Sequence, residues 1–393
     1  MCRWFDSAPG HQDSKRELLA LFFHFYPSHI SKLTVIKKTT PPRFSLIGFI
    51  LSEIGLGQAA RNISYSLEAE NLPINLVNTY LEGRSNSQEL ISKCGPYQPG
   101  NINFIVCALA DVGRFYSLIQ ESGSGIKNYL YPFWELDRLP YSKLKELNSY
   151  DEIIAPSSFI ANAFSDFIGK DIKTIPQPVR IPKVVNSNFI KDGVLRIYSS
   201  MDFDSTIARK NPQGILEAFN SAFPRKYDDV QLILKVRGGK DLEVRNMLQA
   251  HCSRDSRIKV IDQTLSRIEV DVLADASNIY LSMHRSEGFG FGPAEALASE
   301  KIVVSTDYGG SRDFINSNTG YPVDYKLIPV KPGDYPYWEN QLWAEPMIDS
   351  AVHALRDIYD HYDGALERAK KGRNLMVDQH AFEVAGKALK HLL

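Results

Sequence analysis

Apolar and polar positions alternate along this chain in blocks that predict parallel α/β structure. From Phe44 onward, short runs rich in β-branched and aromatic residues alternate with longer stretches of helical periodicity. This order is typical of parallel sheets with helices packed on them. The predicted strands are 44–50, 74–77, 102–106, 129–131, 152–155, 194–199, 230–236, 258–261, 278–283 and 302–305. The predicted helices include 58–69, 158–168 with Ser157 as its N-cap, and helices starting at Pro212 and Leu242.

A proline-rich break divides this pattern into two halves. The segment Ile175–Lys183 contains three prolines and no periodicity, which indicates a linker. A chain of 393 residues is also too long for one ordinary core. We therefore predict Rossmann-like domains over 44–178 and 194–372, joined by a linker over 179–193. Ligands should bind in the cleft between them, at the carboxyl ends of strands.

Composition narrows the class of protein without specifying its chemistry. Hydrophobic residues make up 44% and charged residues 23%, as in soluble globular proteins. The net charge of -1 gives no reason to expect nucleic acid as a partner. The four cysteines lie far apart, which favours a reducing compartment over disulfides or a zinc site. With no spanning apolar run and no cleavable signal peptide in the sequence, we expect a cytoplasmic location.

The first segment, residues 1–43, differs from the average. It carries seven basic residues against three acidic ones, a net charge of +4, around the aromatic run Leu18–Tyr26. Two interpretations stay open. The run could be an interfacial anchor on an anionic membrane surface, or it could be a core-packing helix followed by a basic loop.

The stretch Glu287–Glu295 is the strongest candidate for chemistry. Two carboxylates with seven residues between them bracket a glycine-rich turn, placed where a buried strand should lead into a helix with Pro293 at its first position. The amides of such a turn can bind phosphate at the helix N-terminus. Taken singly, a glutamate near a helix start can serve the helix dipole, and three glycines can form a tight turn.

A second candidate follows the first strand of the second half. Arg209 and Lys210 precede Asn211, a suitable N-cap, and Pro212, a suitable first helical residue. Two adjacent cations beside a helix N-terminus oppose its dipole, so they suit a diphosphate ligand better than a purely structural role. The alternative is a solvated pair in a loop.

Together these segments resemble the retaining nucleotide-sugar glycosyltransferases of the GT-B fold, family 4 (glycosyl transferases group 1). The resemblance covers roughly Phe44 to the C-terminus and rests on the E-x7-E spacing of Glu287 and Glu295 and on the R-K-N segment Arg209–Asn211. It implies that Lys210, helped by Arg209, binds the donor pyrophosphate with the amides of Gly288, Phe289 and Gly290. Glu295 would bind the ribose and Glu287 the sugar, with no metal or other cofactor. The C-terminal residues 373–393 would pack back toward the first, acceptor-binding domain.

Other segments resemble further parts of this family. Gly55 and Gly57 match its N-terminal glycine loop. Tyr308 and Gly309 belong to the stretch Thr306–Asp313, which resembles its G-G segment near the nucleotide, and Glu135 lies in a W-E segment that faces the sugar. Glu135 could orient donor or acceptor, or belong to a capped turn.

Two further segments allow more than one interpretation. Asp202 and Asp204 look like a metal-binding D-x-D pair, but their place after the first strand of this half favours loop polar groups. The aromatic loop 325–346 could stack on sugars or cover the core.

The resemblance to bacterial surface-polysaccharide enzymes implies transfer of a hexose, with mannose from GDP-mannose favoured. The acceptor would be a glycan or a lipid-linked oligosaccharide, which a peripheral position on the inner membrane face would suit. Two alternatives stay open: a non-hydrolysing nucleotide-sugar epimerase, and a catalytically silent sugar-nucleotide-binding subunit.

Overall fold

The computed structural model describes residues 43–393 except 85, 122, 124, 184–191, 228 and 240. Two six-stranded parallel sheets, each with its own helices, account for most of this part of the chain. This confirms the predicted α/β class with two Rossmann-like domains. The basic segment lies outside the described residues except for Arg43, so both interpretations of it stay predictions.

The first lobe is built on a sheet of strand order β2-β1-β3-β4-β5-β6. All five residues of β1 are buried, as expected of a parallel strand covered on both faces. Ser157 caps α4 by accepting a hydrogen bond from the amide of Ile160, as predicted. The elements are β1 Phe44–Gly48, α1 Gly55–Ala69, β2 Ile74–Asn78, β3 Ile102–Ala108, α2 Tyr116–Glu121, β4 Lys127–Phe133, α3 Leu144–Leu147, β5 Glu152–Ala155, α4 Ser158–Ile168 and β6 Lys173–Thr174.

The second lobe is built on a sheet of order β12-β11-β10-β7-β8-β9, the arrangement of a doubly wound Rossmann sheet. Its chain order reverses between β7 and β10, which are neighbours. Such a switch point opens a crevice at the carboxyl ends of the two strands. The elements are β7 Leu195–Asp202, α5 Ile207–Lys210, α6 Pro212–Ala222, β8 Val230–Arg237, α7 Leu242–Arg254, β9 Ile258–Asp262, α8 Arg267–Asp275, β10 Ile279–Ser282, α9 Phe291–Ala298, β11 Ile302–Thr306 and β12 Tyr321–Val323.

The aromatic segment 325–346 forms a hairpin where the sequence predicted a loop. Strands β13 Tyr325–Pro329 and β14 Leu342–Pro346 pair antiparallel. The side chains of Tyr335 and Trp343 are buried in an apolar cluster of the first lobe that includes Trp134. The segment therefore covers core, which agrees with the second of its two interpretations.

Three helices end the chain: α10 Ile348–Asp360, α11 Tyr362–His380 and α12 Phe382–Lys390. Helix α12 packs on α1 of the first lobe, where the rings of Phe382 and Tyr65 lie 5.5 Å apart. The chain crosses between lobes at Ala381, whose backbone is extended. The predicted boundary between the second domain and the C-terminal segment 373–393 therefore falls inside α11. Among the described residues, no helix combines the length and apolarity that crossing a bilayer requires.

Candidate active site

The switch point of the second lobe brings the two candidate motifs together. The loop after β7 carries Arg209 and Lys210 on α5, and the loop after β10 carries Glu287. Asn211 adopts a left-handed backbone conformation with φ of 51° and caps α6 by accepting from the amide of Gly214 at 3.1 Å. Pro212 then begins α6, as predicted. This turn holds the two cations at the carboxyl edge of the sheet.

Glu287 is the centre of a buried charge cluster. Its Oε1 lies 2.5 Å from Nζ of Lys210, and its Oε2 lies 2.8 Å from Nη1 of Arg209. The Arg209 side chain is 3% exposed and that of Glu287 10%. Arg209 also donates to the carbonyl of Ser286 at 2.9 Å. The residues that the sequence predicted to bind a diphosphate and a sugar are therefore bound to each other.

The electrostatics of the cluster keep its carboxylate ionised. Burial alone would raise the pKa of Glu287, but Arg209 and Lys210 outweigh it and hold that pKa well below its usual range. Burial and the neighbouring Arg209 lower the pKa of Lys210. The cluster thus holds two cations, of which Arg209 is almost fully buried, in direct contact with one carboxylate.

The glycine turn after Glu287 is formed by close backbone contacts. A Cβ on Gly288 would lie 2.5 Å from the carbonyl oxygen of Trp134 in the first lobe. Gly290 has a φ of 94° and caps α9. Helix α9 begins at Phe291, so the prediction that Pro293 occupies the first helical position was wrong; it is the third residue.

Phe289, the middle residue of the turn, faces inward. Its side chain is 2% exposed and packs against Phe314, so only its backbone can serve a ligand.

The second acid of the pair, Glu295, is separate from this cluster. It lies in the second turn of α9, and its Oε1 accepts from Nη1 of Arg267 on α8 at 2.8 Å. The side chain of Glu295 is 26% exposed. The two glutamates therefore have different partners, Arg209 and Lys210 for Glu287 and Arg267 for Glu295.

The remaining predicted donor residues occupy two places. Gly309, with a φ of 83°, crosses directly over the carbonyl of Glu287, which a Cβ there would meet at 2.4 Å. The neighbouring Tyr308 packs edge-on against Phe159 of the first lobe. In the first lobe, a Cβ on Gly57 would collide with the carbonyl oxygen of Ser52, whereas one on Gly55 would meet nothing within 4 Å. Gly57 is thus required by packing, and Gly55 borders open space.

Glu135 lies at the contact between lobes. Its backbone carbonyl accepts from the hydroxyl of Ser286, and its side-chain Oε1 is 3.7 Å from Nη2 of Arg209. Its other carboxylate oxygen accepts from the hydroxyl of Tyr335. The structure brings Glu135 into the charge cluster of Glu287, Arg209 and Lys210.

The D-x-D pair binds arginines. Asp202 accepts from Arg237 at 3.0 Å, and Asp204 accepts from Arg84 of the first lobe at 2.6 Å. Across the described part of the chain, no three His, Cys, Asp or Glu side chains gather as a metal site would require.

Sequence reasoning missed the residues that join the lobes at this site. Ser157 donates to the carbonyl of Gly288 at 2.5 Å, and the amide of Ser158 donates to Asp313 at 2.8 Å. Tyr335 approaches from the hairpin. These are single polar groups far apart in sequence, and only the serine cap at Ser157 carries a local signal.

Acidification should destabilise the fold through His284, which is fully buried beneath the cluster. Its Nε2 donates to the carbonyl of Tyr308 at 2.9 Å, and burial lowers its pKa to about 4. In the unfolded chain this histidine takes up a proton near pH 6.5. His284 therefore leaves the free energy of unfolding unchanged above that pH and lowers it as pH falls toward 4. We expect a loss of about 2 kcal/mol between pH 7.5 and pH 5, measured by urea unfolding.

The variant His284→Gln should show a flatter dependence over the same range. Part of the dependence of the free energy of unfolding on pH should persist, because burial also lowers the pKa of His380. An unchanged slope in the variant would contradict the assignment.

Several solved structures of glycosyltransferases share this architecture. A glycosyltransferase from Rickettsia africae matches at 14% identity and a TM-score of 0.64, over 89% of this chain and 97% of that one. HepE from Anabaena, solved with UDP and glucose, matches at 12% identity and a TM-score of 0.64, over 89% and 99%. A variant of S. aureus TarM, solved with fondaparinux, α-GlcNAc-glycerol and UDP, matches at 15% identity and a TM-score of 0.55. That match covers 74% of this chain and 55% of TarM, so this chain spans about half of TarM. The fold is GT-B.

The sequence of the second lobe matches a known family. Residues 205–326 match the family model described as glycosyl transferases group 1. This stretch contains Arg209, Lys210 and both acids of the E-x7-E pair. The second lobe therefore resembles the glycosyl transferases group 1 family over these residues, in a chain that has the GT-B fold. A sequence comparison with curated proteins finds no significant match.

Proposed function

We propose that this protein is a retaining glycosyltransferase that moves a hexose from a nucleotide-diphosphate sugar to a glycan or a lipid-linked oligosaccharide. The observation that supports the proposal most directly is the buried cluster of Arg209, Lys210 and Glu287 at the switch point of the second lobe. Two desolvated cations beside a glycine turn suit a leaving group that carries two phosphates.

In this proposal the donor diphosphate replaces the carboxylate of Glu287 as the partner of the two cations. Lys210 and Arg209 then neutralise the charge that develops on the diphosphate as the glycosidic bond breaks. The amides of Gly288, Phe289 and Gly290 at the N-terminus of α9 add to this stabilisation. Released from its ion pairs, Glu287 accepts hydrogen bonds from the sugar hydroxyls and orients the anomeric carbon.

The nucleotide would extend from the diphosphate toward α9. Glu295, held by Arg267 at 2.8 Å, would accept from the ribose hydroxyls. Gly309 and Tyr308 would border the nucleotide, while Gly55, with open space beside it, would face it from the first lobe. Attack by the acceptor on the same face of the sugar as the departing diphosphate retains the anomeric configuration and needs no covalent nucleophile.

Contacts between the lobes would exclude water from this reaction. The hydroxyl of Ser157 binds the carbonyl of Gly288, and Arg84 bridges to Asp204. These contacts bring the two lobes together around the donor turn, which limits hydrolysis of the donor. The proposal requires no metal.

Two lines of evidence bear on the donor and point to different nucleotides. The resemblance of the W-E and S-E-G-F-G segments favours mannose carried by GDP. The HepE and TarM crystals contain UDP. Both nucleotides therefore belong in the test. The glycan ligand of the TarM crystal is consistent with a glycan acceptor, and a cytoplasmic site on the inner membrane face would suit a lipid-linked one.

The proposal is tested with a panel of UDP- and GDP-sugars. Thermal shift should identify the donor, because a ligand that binds only the folded state raises the melting temperature. The matching donor should then release nucleotide diphosphate slowly in water and faster with acceptor, and NMR of the product should show the anomeric configuration of the donor.

Two results would favour the alternatives. Inversion at a sugar carbon without release of nucleotide would indicate an epimerase. Binding without turnover, with every acceptor offered, would indicate a silent subunit.

A further inference from the structure

The hairpin β13–β14 is fastened to the loop that carries Glu287. Arg285, two residues before Glu287, binds Glu345 of β14 through both carboxylate oxygens at 2.6 and 3.1 Å. The amide of Ala344 donates to the carbonyl of Arg285 at 2.9 Å. Arg285 also donates through Nη1 to the carbonyl of Ala208 at 2.6 Å. The base of the hairpin is therefore fixed to both loops of the charge cluster.

The far end of the hairpin reaches the first lobe. Gln341 donates to the carbonyl of Arg138 at 2.9 Å. The ring of Tyr335 packs edge-on against Trp134, with centroids 5.3 Å apart, and the tyrosine is 7% exposed. This packing fixes where the phenol hydroxyl points.

That hydroxyl donates to Oε2 of Glu135. The second oxygen of the same carboxylate, Oε1, lies 3.7 Å from Nη2 of Arg209, which is beyond hydrogen-bond distance. Nη2 is bonded to the hydroxyl of Ser205 at 3.0 Å, and Nη1 is bonded to Glu287 at 2.8 Å. Glu135 thus lies beside the guanidinium without making a hydrogen-bonded ion pair.

We propose that Tyr335 is a positioning residue that holds the carboxylate of Glu135 away from Arg209 and so leaves the guanidinium available to the leaving diphosphate. This inference rests on the proposed function. Burial raises the pKa of the phenol well above its usual range, so the hydroxyl stays a donor. Without it, the Glu135 carboxylate, 24% exposed, moves onto Arg209 and competes with the phosphates.

The substitution Tyr335→Phe removes only the hydroxyl and keeps the ring on Trp134. We expect kcat for donor hydrolysis to fall about tenfold or more, with a smaller rise in donor KM, because one charge-assisted contact to the transition state is weakened. The matched control is Tyr337→Phe, since Tyr337 also packs on Trp134, with centroids 6.3 Å apart. The control should keep wild-type kinetics, and both variants should keep the wild-type melting temperature within a few degrees.

A double-mutant cycle separates positioning from simple structural support. In a Glu135→Gln background the neutral amide cannot capture the guanidinium, so adding Tyr335→Phe should have little further effect on kcat. Equal losses from Tyr335→Phe in both backgrounds would overturn the proposal. So would wild-type kcat in the single variant.

Binding of inorganic pyrophosphate, measured by calorimetry, provides a readout independent of turnover. Tyr335→Phe should weaken it about tenfold, and Tyr337→Phe should not. If the wild-type enzyme hydrolyses no donor, the proposed transferase activity fails, while the pyrophosphate comparison still decides the role of Tyr335. Equal affinities in wild type and Tyr335→Phe would overturn that role.

Discussion

Replacement of Lys210 by Ala is expected to lower the rate of nucleotide diphosphate release by about 100- to 1000-fold, the usual cost of losing one preorganised group that stabilises developing charge. Lys210 is the more exposed of the two partners of Glu287, with 22% of its side chain accessible against 3% for Arg209. An incoming diphosphate can therefore reach Lys210 first. The measurement is single-turnover release of nucleotide diphosphate from the donor that the panel identifies.

The control for the loss of a lysine charge is on the surface. Lys370 and Glu367 form an exposed ion pair at 2.6 Å on α11, so Lys370→Ala should keep wild-type rates and stability. Lys210→Arg should keep part of the activity, because the charge persists while its geometry changes. Near wild-type release by Lys210→Ala would contradict the proposed role of this cation.

Glu287→Ala tests whether the carboxylate of Glu287 competes with a diphosphate for the two cations. Its removal leaves two desolvated cations without their carboxylate, so affinity for pyrophosphate should rise or hold while turnover is lost. Opposite effects of Lys210→Ala and Glu287→Ala on pyrophosphate binding would separate phosphate binding from sugar binding. Parallel losses in both variants would instead indicate that the cluster is structural.

The sequence predicted the strands well because both sheets are parallel and buried. Such strands appear as continuous apolar runs, and Glu152–Ala155 matches its prediction to the residue. The helices that start at Ser158 and Pro212, after the caps Ser157 and Asn211, were equally well predicted. The α8 helix Arg267–Asp275 was missed even though Ser266 and Glu269 form a capping box, because its residues 268–272 alternate between apolar and acidic as in a strand.

The candidate site was predictable where it consists of short motifs at strand ends. The switch-point topology brings the ends of β7 and β10 together, so Arg209, Lys210 and Glu287 meet without any long-range information. The partner of each side chain was not predictable. Sequence reasoning assigned the cations to a diphosphate, and the structure shows them paired with Glu287.

Contacts between the lobes depend on residues distant in sequence, which is why the sequence could not indicate them. Tyr335 and Glu135 are 200 residues apart, and Ser157 and Gly288 are 131 apart. The hairpin also lacks a clear alternating pattern. Each of its strands ends at a proline, Pro329 or Pro346, which further weakens the signal for a strand. Its buried aromatics can be recognised only once the first lobe provides the surface that they cover.

The substitution Gly288→Ala is expected to have the second large effect, through the contact between lobes. A Cβ at this position would lie 2.5 Å from the carbonyl oxygen of Trp134 and 3.1 Å from Cδ1 of Ile160, both in the first lobe. A backbone oxygen cannot yield as a flexible side chain can, so the lobes must separate or the donor turn must shift. Displacing catalytic groups by about 1 Å costs on the order of 100-fold in rate, which donor hydrolysis would measure.

Small-angle scattering distinguishes the two ways in which the methyl group can be accommodated. Separation of the lobes should raise the radius of gyration and break the hydrogen bond from Ser157 to the carbonyl of Gly288, whereas a shift of the turn alone should leave the radius unchanged. The control is Gly364→Ala near the start of α11, where a Cβ meets nothing within 4 Å and alanine favours the helix. Wild-type turnover by Gly288→Ala would show that the tight contact with Trp134 is dispensable for the reaction, and that the lobes perform catalysis in a more open arrangement.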